Sequence, residues 1–247
     1  MRSYLNVVTV MAVAMLLPAN LARAEVISIV PIDDAFVTDS NRDGVGDFTI
    51  NGVNSVLVGF DAFGSGEHRG VYEFDVSSIP RGSQIVSATL GLNSVGTRLS
   101  GTDRTLGLYA GMGNGIVDVS DFASGDFVAR FIADDLGPFA RFDNLLDLTP
   151  SLQSLLHTGG AFIEVTIRPN PLAGGTAGGI LFSTNELGSL SSQFGPAELI
   201  VQFRHSVPAP ATLLLLSCGL ALVLWYERAG PAPSCRGGAR GQARNGA

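Results

Sequence analysis

The chain has 247 residues, 46% of them hydrophobic and 15% charged, and it contains no lysine. Residues 25–206 carry 21 Asp and Glu against 9 Arg, a net charge of −12 with His neutral. That balance repels phosphate backbones, which argues against nucleic acid as a partner and suits cations such as calcium. Both cysteines, Cys218 and Cys235, lie beyond residue 206, so this central body has no disulfide of its own and must stand on its core, on bound metal or on both.

Met1–Ala24 reads as a secretory signal peptide: Arg2 starts it, Val7–Leu17 is its apolar stretch, and Ala22-Arg23-Ala24 fits a small-x-small cleavage site. The body, residues 25–206, is rich in Gly, Val, Ile, Phe and Thr and shows little helical periodicity, which favours an all-β fold. Strands are expected at Glu25–Pro31, Val56–Phe60, Arg69–Val76, Gln84–Ser94, Thr105–Ala110, Phe127–Ile132, Ala140–Leu146, Ala161–Arg168, Ile180–Thr184 and Glu198–Arg204. In Gln84–Ser94 the alternation puts Val86, Ala88, Leu90 and Leu92 on one face. Tyr72, Phe74, Val86, Leu90, Ile163 and Val201 are the expected core markers. One short helix is expected after Thr149, an N-cap candidate, with Pro150 opening it, Leu152, Leu155 and Leu156 on its buried face and Gly159-Gly160 ending it. About two turns long, it must dock on the sheets to persist. About ten short strands with turn signals between them predict a two-sheet antiparallel β-sandwich, a jelly roll, carrying that one helix.

The sharpest local motif is Asp39-Ser40-Asn41-Arg42-Asp43-Gly44-Val45-Gly46-Asp47. Oxygen side chains stand at positions 1, 3, 5 and 9 and Gly at position 6, the spacing of calcium loops of the EF-hand type. Asp39, Asn41, Asp43 and Asp47 would bind Ca²⁺ through side-chain oxygens and Val45 through its carbonyl. Ile50 stands where such loops place a Glu, so a further carboxylate would come from Asp33, Asp34 or Asp61. The competing reading is an Asp/Asn/Gly turn that binds nothing. Glu67, Glu73 and Asp75 could supply a carboxylate pair for glycoside chemistry, but Glu73 and Asp75 also fit the solvent face of a strand. His68, His157 and His205 are too far apart in sequence for ligand spacing, and Gly111-Met112-Gly113-Asn114-Gly115 reads as a loop.

Tyr72–Gly82, Ile85–Leu90, Leu146-Asp147-Leu148-Thr149, Phe182–Glu186 and Pro196–Val201 together resemble the DNRLRE family, whose domains are similar to carbohydrate-binding modules. The resemblance spans most of the body and implies a jelly-roll sandwich, polysaccharide as partner and bound calcium. It supplies no catalytic constellation.

The C-terminal part opens with Val207–Arg228. Ala211–Tyr226 is a stretch of sixteen uncharged residues, about 24 Å as a helix, slightly less than a bilayer's hydrocarbon core. Arg228, Arg236, Arg240 and Arg244 follow it, a distribution that holds this end in the cytoplasm. Pro208-x-Pro210, then Ala211–Leu216, a Gly-containing apolar run and Arg228 resemble the PEP-CTERM sorting signal. Ala209 stands where that family has Glu, and nineteen residues follow Arg228. The resemblance implies an exported protein held in the inner membrane through residues 207–228, processed by an exosortase and passed to the cell surface or extracellular matrix. A plain single-pass anchor is the alternative, and residues 229–247 are expected to be a disordered basic tail. Three functions stay open: a non-catalytic, exopolysaccharide-associated surface or matrix protein, a polysaccharide hydrolase or lyase, and a purely structural envelope component.

Overall fold

The computed structural model describes residues 24–51, 55–60, 66–97, 105–132, 141–169, 178–184, 195–205 and 219. Its contacts divide the chain into two compact units, Met1–Ser206 and Val207–Ala247. Residues 1–23 of the expected signal peptide, the segment 207–228 apart from Gly219, and the tail lie outside the described residues. Among those described, no helix is long and apolar enough to cross a membrane.

The first unit is antiparallel β structure with one short α-helix. Its strands are β1 (Ala24–Ile29), β2 (Asp33–Asp39), β3 (Phe48–Asn51), β4 (Ser55–Phe60), β5 (Glu67–Asp75), β6 (Gln84–Thr97), β7 (Thr105–Met112), β8 (Asp126–Ile132), β9 (Arg141–Asp147), β10 (Phe162–Pro169), β11 (Gly178–Ser183) and β12 (Glu198–Arg204). Hydrogen-bonded neighbours run β1-β12-β6-β11-β4-β5-β10-β7-β8, with β2 joining β5 and β3, and β9 joining β6. The long strand β6 joins β12 and β11 within this path, pairing with β12 through Gln84–Gly91 and with β11 through Ser94–Thr97.

Period-2 alternation builds the main core. Tyr72 and Phe74 of β5, Leu90 and Leu92 of β6, Leu106 and Leu108 of β7, Ile163 and Val165 of β10, Phe182 of β11 and Val201 and Phe203 of β12 meet in one buried cluster. Each fully buried side chain of this size contributes about 1.5–3 kcal/mol of hydrophobic stabilisation. The helix α1 (Thr149–Thr158) adds Leu152, Leu155 and Leu156 to the same cluster. Gly159, at φ 81°, ends it with its amide on the Leu155 and Leu156 carbonyls, a left-handed position that suits glycine. Thr149 proves to be the first helical residue and not its cap. Its hydroxyl accepts a bond from the Ala88 amide of β6 at 2.9 Å, which ties the helix to the sheet instead.

Five of the six expected core markers are buried, while Val86 is 40% exposed and Ile85 takes the inward place. The β6–β12 register shifts between Gln202 and Phe203, so that Ser87 faces Gln202, Ile85 faces Phe203 and Val86 falls out of the ladder. A bulge of this kind reverses the alternation on one side of itself. Strands β2 and β3 were not expected from sequence. Acidic residues at both ends of β2 mask the alternation in which Ala35 and Val37 point one way and Phe36 the other.

The opposite face of β2 and β5 is buried too. There Ala35, Val37 and Val71 form a smaller cluster with Val117 and Phe122, which belong to the segment between β7 and β8. That segment, residues 113–125, contains a 3-10 helix, Val119–Ala123, and acts as a roof over this outer face. Asp118 caps the helix: its carboxylate accepts from Ser120 N while Asp121 accepts from Asp118 N, a reciprocal capping box.

Candidate functional site

The motif Asp39–Asp47 forms the hairpin connection between β2 and β3. Asp39, the last residue of β2, is buried, while Asn41, Asp43, Val45 and Asp47 are exposed. Asp39 Oδ1 accepts the amides of Asn41, Arg42 and Asp43, at 2.6 Å for Arg42, and its Oδ2 accepts the amide of Gly44 at 2.8 Å. Asn41 Oδ1 accepts from Asp43 N and Asp43 Oδ1 from Val45 N, each at 2.9 Å. Side chains at positions 1, 3 and 5 thus draw the following amides inward, and Gly44 at φ 90° makes the bend. Asp47 is tied back to Ser40 through that residue's hydroxyl and amide, which hold its carboxyl below the ordinary value. Of the further ligands considered, Asp33 is engaged elsewhere, accepting from Val117 N at 2.8 Å. Asp34 lies buried beside Tyr72, and Asp61 is outside the described residues.

A second acidic group was not legible in the sequence. Glu73 of β5 and Glu164 of β10 stand directly opposite each other in the antiparallel ladder. Asp121 of the 3-10 helix descends on them from the roof. One ligand oxygen from each lies within 4.8 Å of the others. All three residues are buried, at 0%, 2% and 5% exposure for Glu73, Glu164 and Asp121. The placement of Glu73 on a solvent face is therefore corrected. Alternation assigns it rightly to the side opposite Tyr72 and Phe74, but the roof covers that side.

The surroundings of the three carboxyl groups differ. Glu164 Oε1 accepts the hydroxyls of Thr166, at 2.7 Å, and of Ser124. Glu73 Oε1 accepts the Asn114 amide at 3.3 Å, whereas its buried Oε2 has no hydrogen-bond partner. Burial pushes the Glu73 carboxyl up to about 7; the amides of Asn114 and Gly115 oppose this and the Glu164 charge adds to it. Burial likewise raises Asp121 to about 6, against the pull of its bond from the Asp118 amide. Like charges held opposite each other on a sheet are destabilising unless something neutralises them. A nearby cation is Arg168, whose guanidinium donates to the Ser124 carbonyl and feels the Glu164 charge.

The roof fits closely at this point. A Cβ on Gly113 would overlap Glu73 Oε2 and lie 2.6 Å from its Cδ, and one on Gly111 would lie 3.0 Å from Gly125 Cα. The glycine cluster 111–115 is therefore the close approach of roof to sheet. Arg69 reinforces it, stacking on the Phe122 ring at 3.7 Å, donating to the Phe122 carbonyl and pairing with Glu67 at 2.5 Å.

Elsewhere, Tyr109 of β7 and the exposed Phe127 of β8 meet edge to face at 5.6 Å. Arg168 lies over Tyr109 at 3.8 Å and Arg130 near Phe127 at 5.9 Å. A cavity of about 430 Å³ between the Arg81–Ser83 turn and α1 is lined by Arg81, Gln153 and His157 and by no carboxylate. The other histidines pair separately, His68 with Thr38 and His205 with Glu25, each at 2.9 Å. In comparisons with known proteins, no family model matches the chain and no curated protein is similar to it.

Proposed function

We propose that the chain is an exported, non-catalytic cell-surface or matrix protein whose body, a jelly-roll β-sandwich, is stabilised by calcium at Asp39–Asp47 and associates with exopolysaccharide. The observation that carries this reading is the ordering of the β2–β3 loop. Asp39, Asn41 and Asp43 accept the amides that curl the chain around them, and Gly44 sits in the left-handed bend. Side-chain oxygens of Asp39, Asn41, Asp43 and Asp47 with the Val45 carbonyl would make an all-oxygen donor set, which suits a hard cation. The exposed Phe127, with Tyr109 against its edge, would supply aromatic surface for sugar rings in an otherwise acidic body. The export reading rests on residues 1–24 and on the sorting-signal resemblance of residues 207–228, which would carry membrane insertion and exosortase processing.

The hydrolase reading needs paired carboxylates that a polymer can reach. The facing carboxylates Glu73 and Glu164 are roofed over, so a polymer does not reach that pair. The test is thermal melting of the chain with excess calcium and with chelator. Saturation of the loop at about 100 times its dissociation constant adds roughly 2.7 kcal/mol, and Asp43→Ala removes that part of the calcium gain. Superimposed curves defeat the calcium assignment. For location, protease added to intact spheroplasts digests residues 25–206, and full protection of that region defeats the export assignment.

A further inference from the structure

We propose that Glu73, Asp121 and Glu164 are the ligands of a second divalent-cation site, which fastens the roof segment 113–125 to the outer face of the sheet. The three residues come from a central strand, its neighbour and the 3-10 helix, so the site exists only when all three elements are assembled. Convergence alone would describe only an acidic cluster. The additional observation is Glu73 Oε2, an oxygen of a fully buried side chain that has no hydrogen-bond partner. Leaving a buried polar atom unsatisfied is destabilising, more so when it is charged, and a cation at the convergence of the three carboxylates would satisfy it.

The donor set and its burial favour calcium over magnesium. Three buried carboxylates make an all-protein oxygen set, whereas magnesium dehydrates reluctantly and usually keeps several waters. The polar neighbours suit a metal-bound Glu164: the Ser124 and Thr166 hydroxyls donate to its Oε1 and fix the carboxylate. Three carboxylates and a divalent ion leave one negative charge, and Arg168, held on the Ser124 carbonyl, lies close enough to offset it. The fit of Gly113 against Glu73 closes the site from above.

The experiment is calorimetric titration of the full chain with Ca²⁺, and separately with Mg²⁺, alongside melting curves in chelator. Glu73→Gln keeps the side chain's size and removes a ligand from the sheet, Asp121→Asn removes one from the roof, and Asp43→Asn serves as a control confined to the Asp39 loop. The expected result is that Glu73→Gln and Asp121→Asn each lose one bound Ca²⁺ per chain, while Asp43→Asn retains it. In chelator Glu73→Gln melts at the same temperature as the unaltered chain or higher, because one of three crowded charges has gone. Unchanged Ca²⁺ stoichiometry in folded Glu73→Gln and Asp121→Asn overturns the site. Mg²⁺ binding equal to Ca²⁺ overturns the preference for calcium. Failure of the Asp39 loop gives a different pattern, in which Asp43→Asn changes nothing and the Glu73 and Asp121 variants still lose their ion.

Discussion

The loop Asp39–Asp47 and the roof 113–125 are both excursions between neighbouring strands, and both are rich in Asp and Gly, yet they dispose of their polar groups in opposite ways. The loop closes on itself: its side chains bond amides two to seven residues away, and most of it faces solvent. The roof bonds across the fold, with Val117 N on Asp33, Asn114 N on Glu73 and Ser124 on Glu164. A loop that satisfies itself can be read from a nine-residue pattern. A roof that satisfies the sheet beneath it depends on strand register, which no short window of sequence contains.

The strongest way to break this comparison is Gly113→Ala. The new Cβ would collide with Glu73 in a buried setting, and overpacking of that kind costs about 1–3 kcal/mol. A urea melt of the full chain should show the loss, and part of it should return in the Gly113→Ala, Glu73→Ala double variant, because the two residues share one contact. A loss near zero for Gly113→Ala alone would mean that the roof is not seated on Glu73 and that the two excursions are alike.

Particular residues show how far the sequence could be read. The ten expected strands are present to within a few residues, since alternation in stretches such as Leu199-x-Val201-x-Phe203 is an intrinsic signal. The helix was legible through Pro150, its leucine face and Gly159. Val86 was misplaced because a bulge depends on the partner strand as much as on its own. Strand β2 was missed because its carboxylates serve partners remote in sequence; Asp33, for instance, accepts an amide 84 residues away. The motif 39–47 was legible as a loop and its amide-capping geometry follows from residue type. The triad was not legible: Glu73 and Glu164 each sit in an ordinary alternating strand, and only the β5–β10 register and the descent of Asp121 bring them together. The one local hint was Asp118-x-x-Asp121, a capping-box spacing that marks a helical turn over the sheet.

Within the loop, Asp39→Ala sharpens the contrast. Its carboxylate takes four backbone amides while itself buried at 1% exposure. Water can reach the exposed amides once it is gone, so the expected loss is about 1–2 kcal/mol, the scale of a helix-cap residue. The readout is a denaturant melt in chelator, which separates this backbone role from any ion. A loss below about 0.5 kcal/mol, the range of ordinary surface substitutions, would show that the loop's order does not depend on its first residue.

The smallest effect is expected at Asp43. Its Oδ1 accepts the Val45 amide and its Oδ2 the Asn41 side-chain amide at 3.1 Å, both in exposed positions where water substitutes readily. Asp39 and Asp47 flank it in the same nine-residue stretch, so removing its charge also relieves some repulsion. The two effects oppose each other, and in chelator Asp43→Ala should fall within about 0.5 kcal/mol of the unaltered chain. The same substitution under saturating calcium should abolish the gain that the loop's own ion confers. One substitution thereby divides the loop's two roles, since Asp39 orders the backbone with or without an ion whereas Asp43 matters only to the ion. If Asp43→Ala in chelator costs as much as Asp39→Ala, the loop is a cooperative hydrogen-bonded unit in its own right. Its carboxylates would then be structural caps, as those of Asp118 and Asp121 are in the roof.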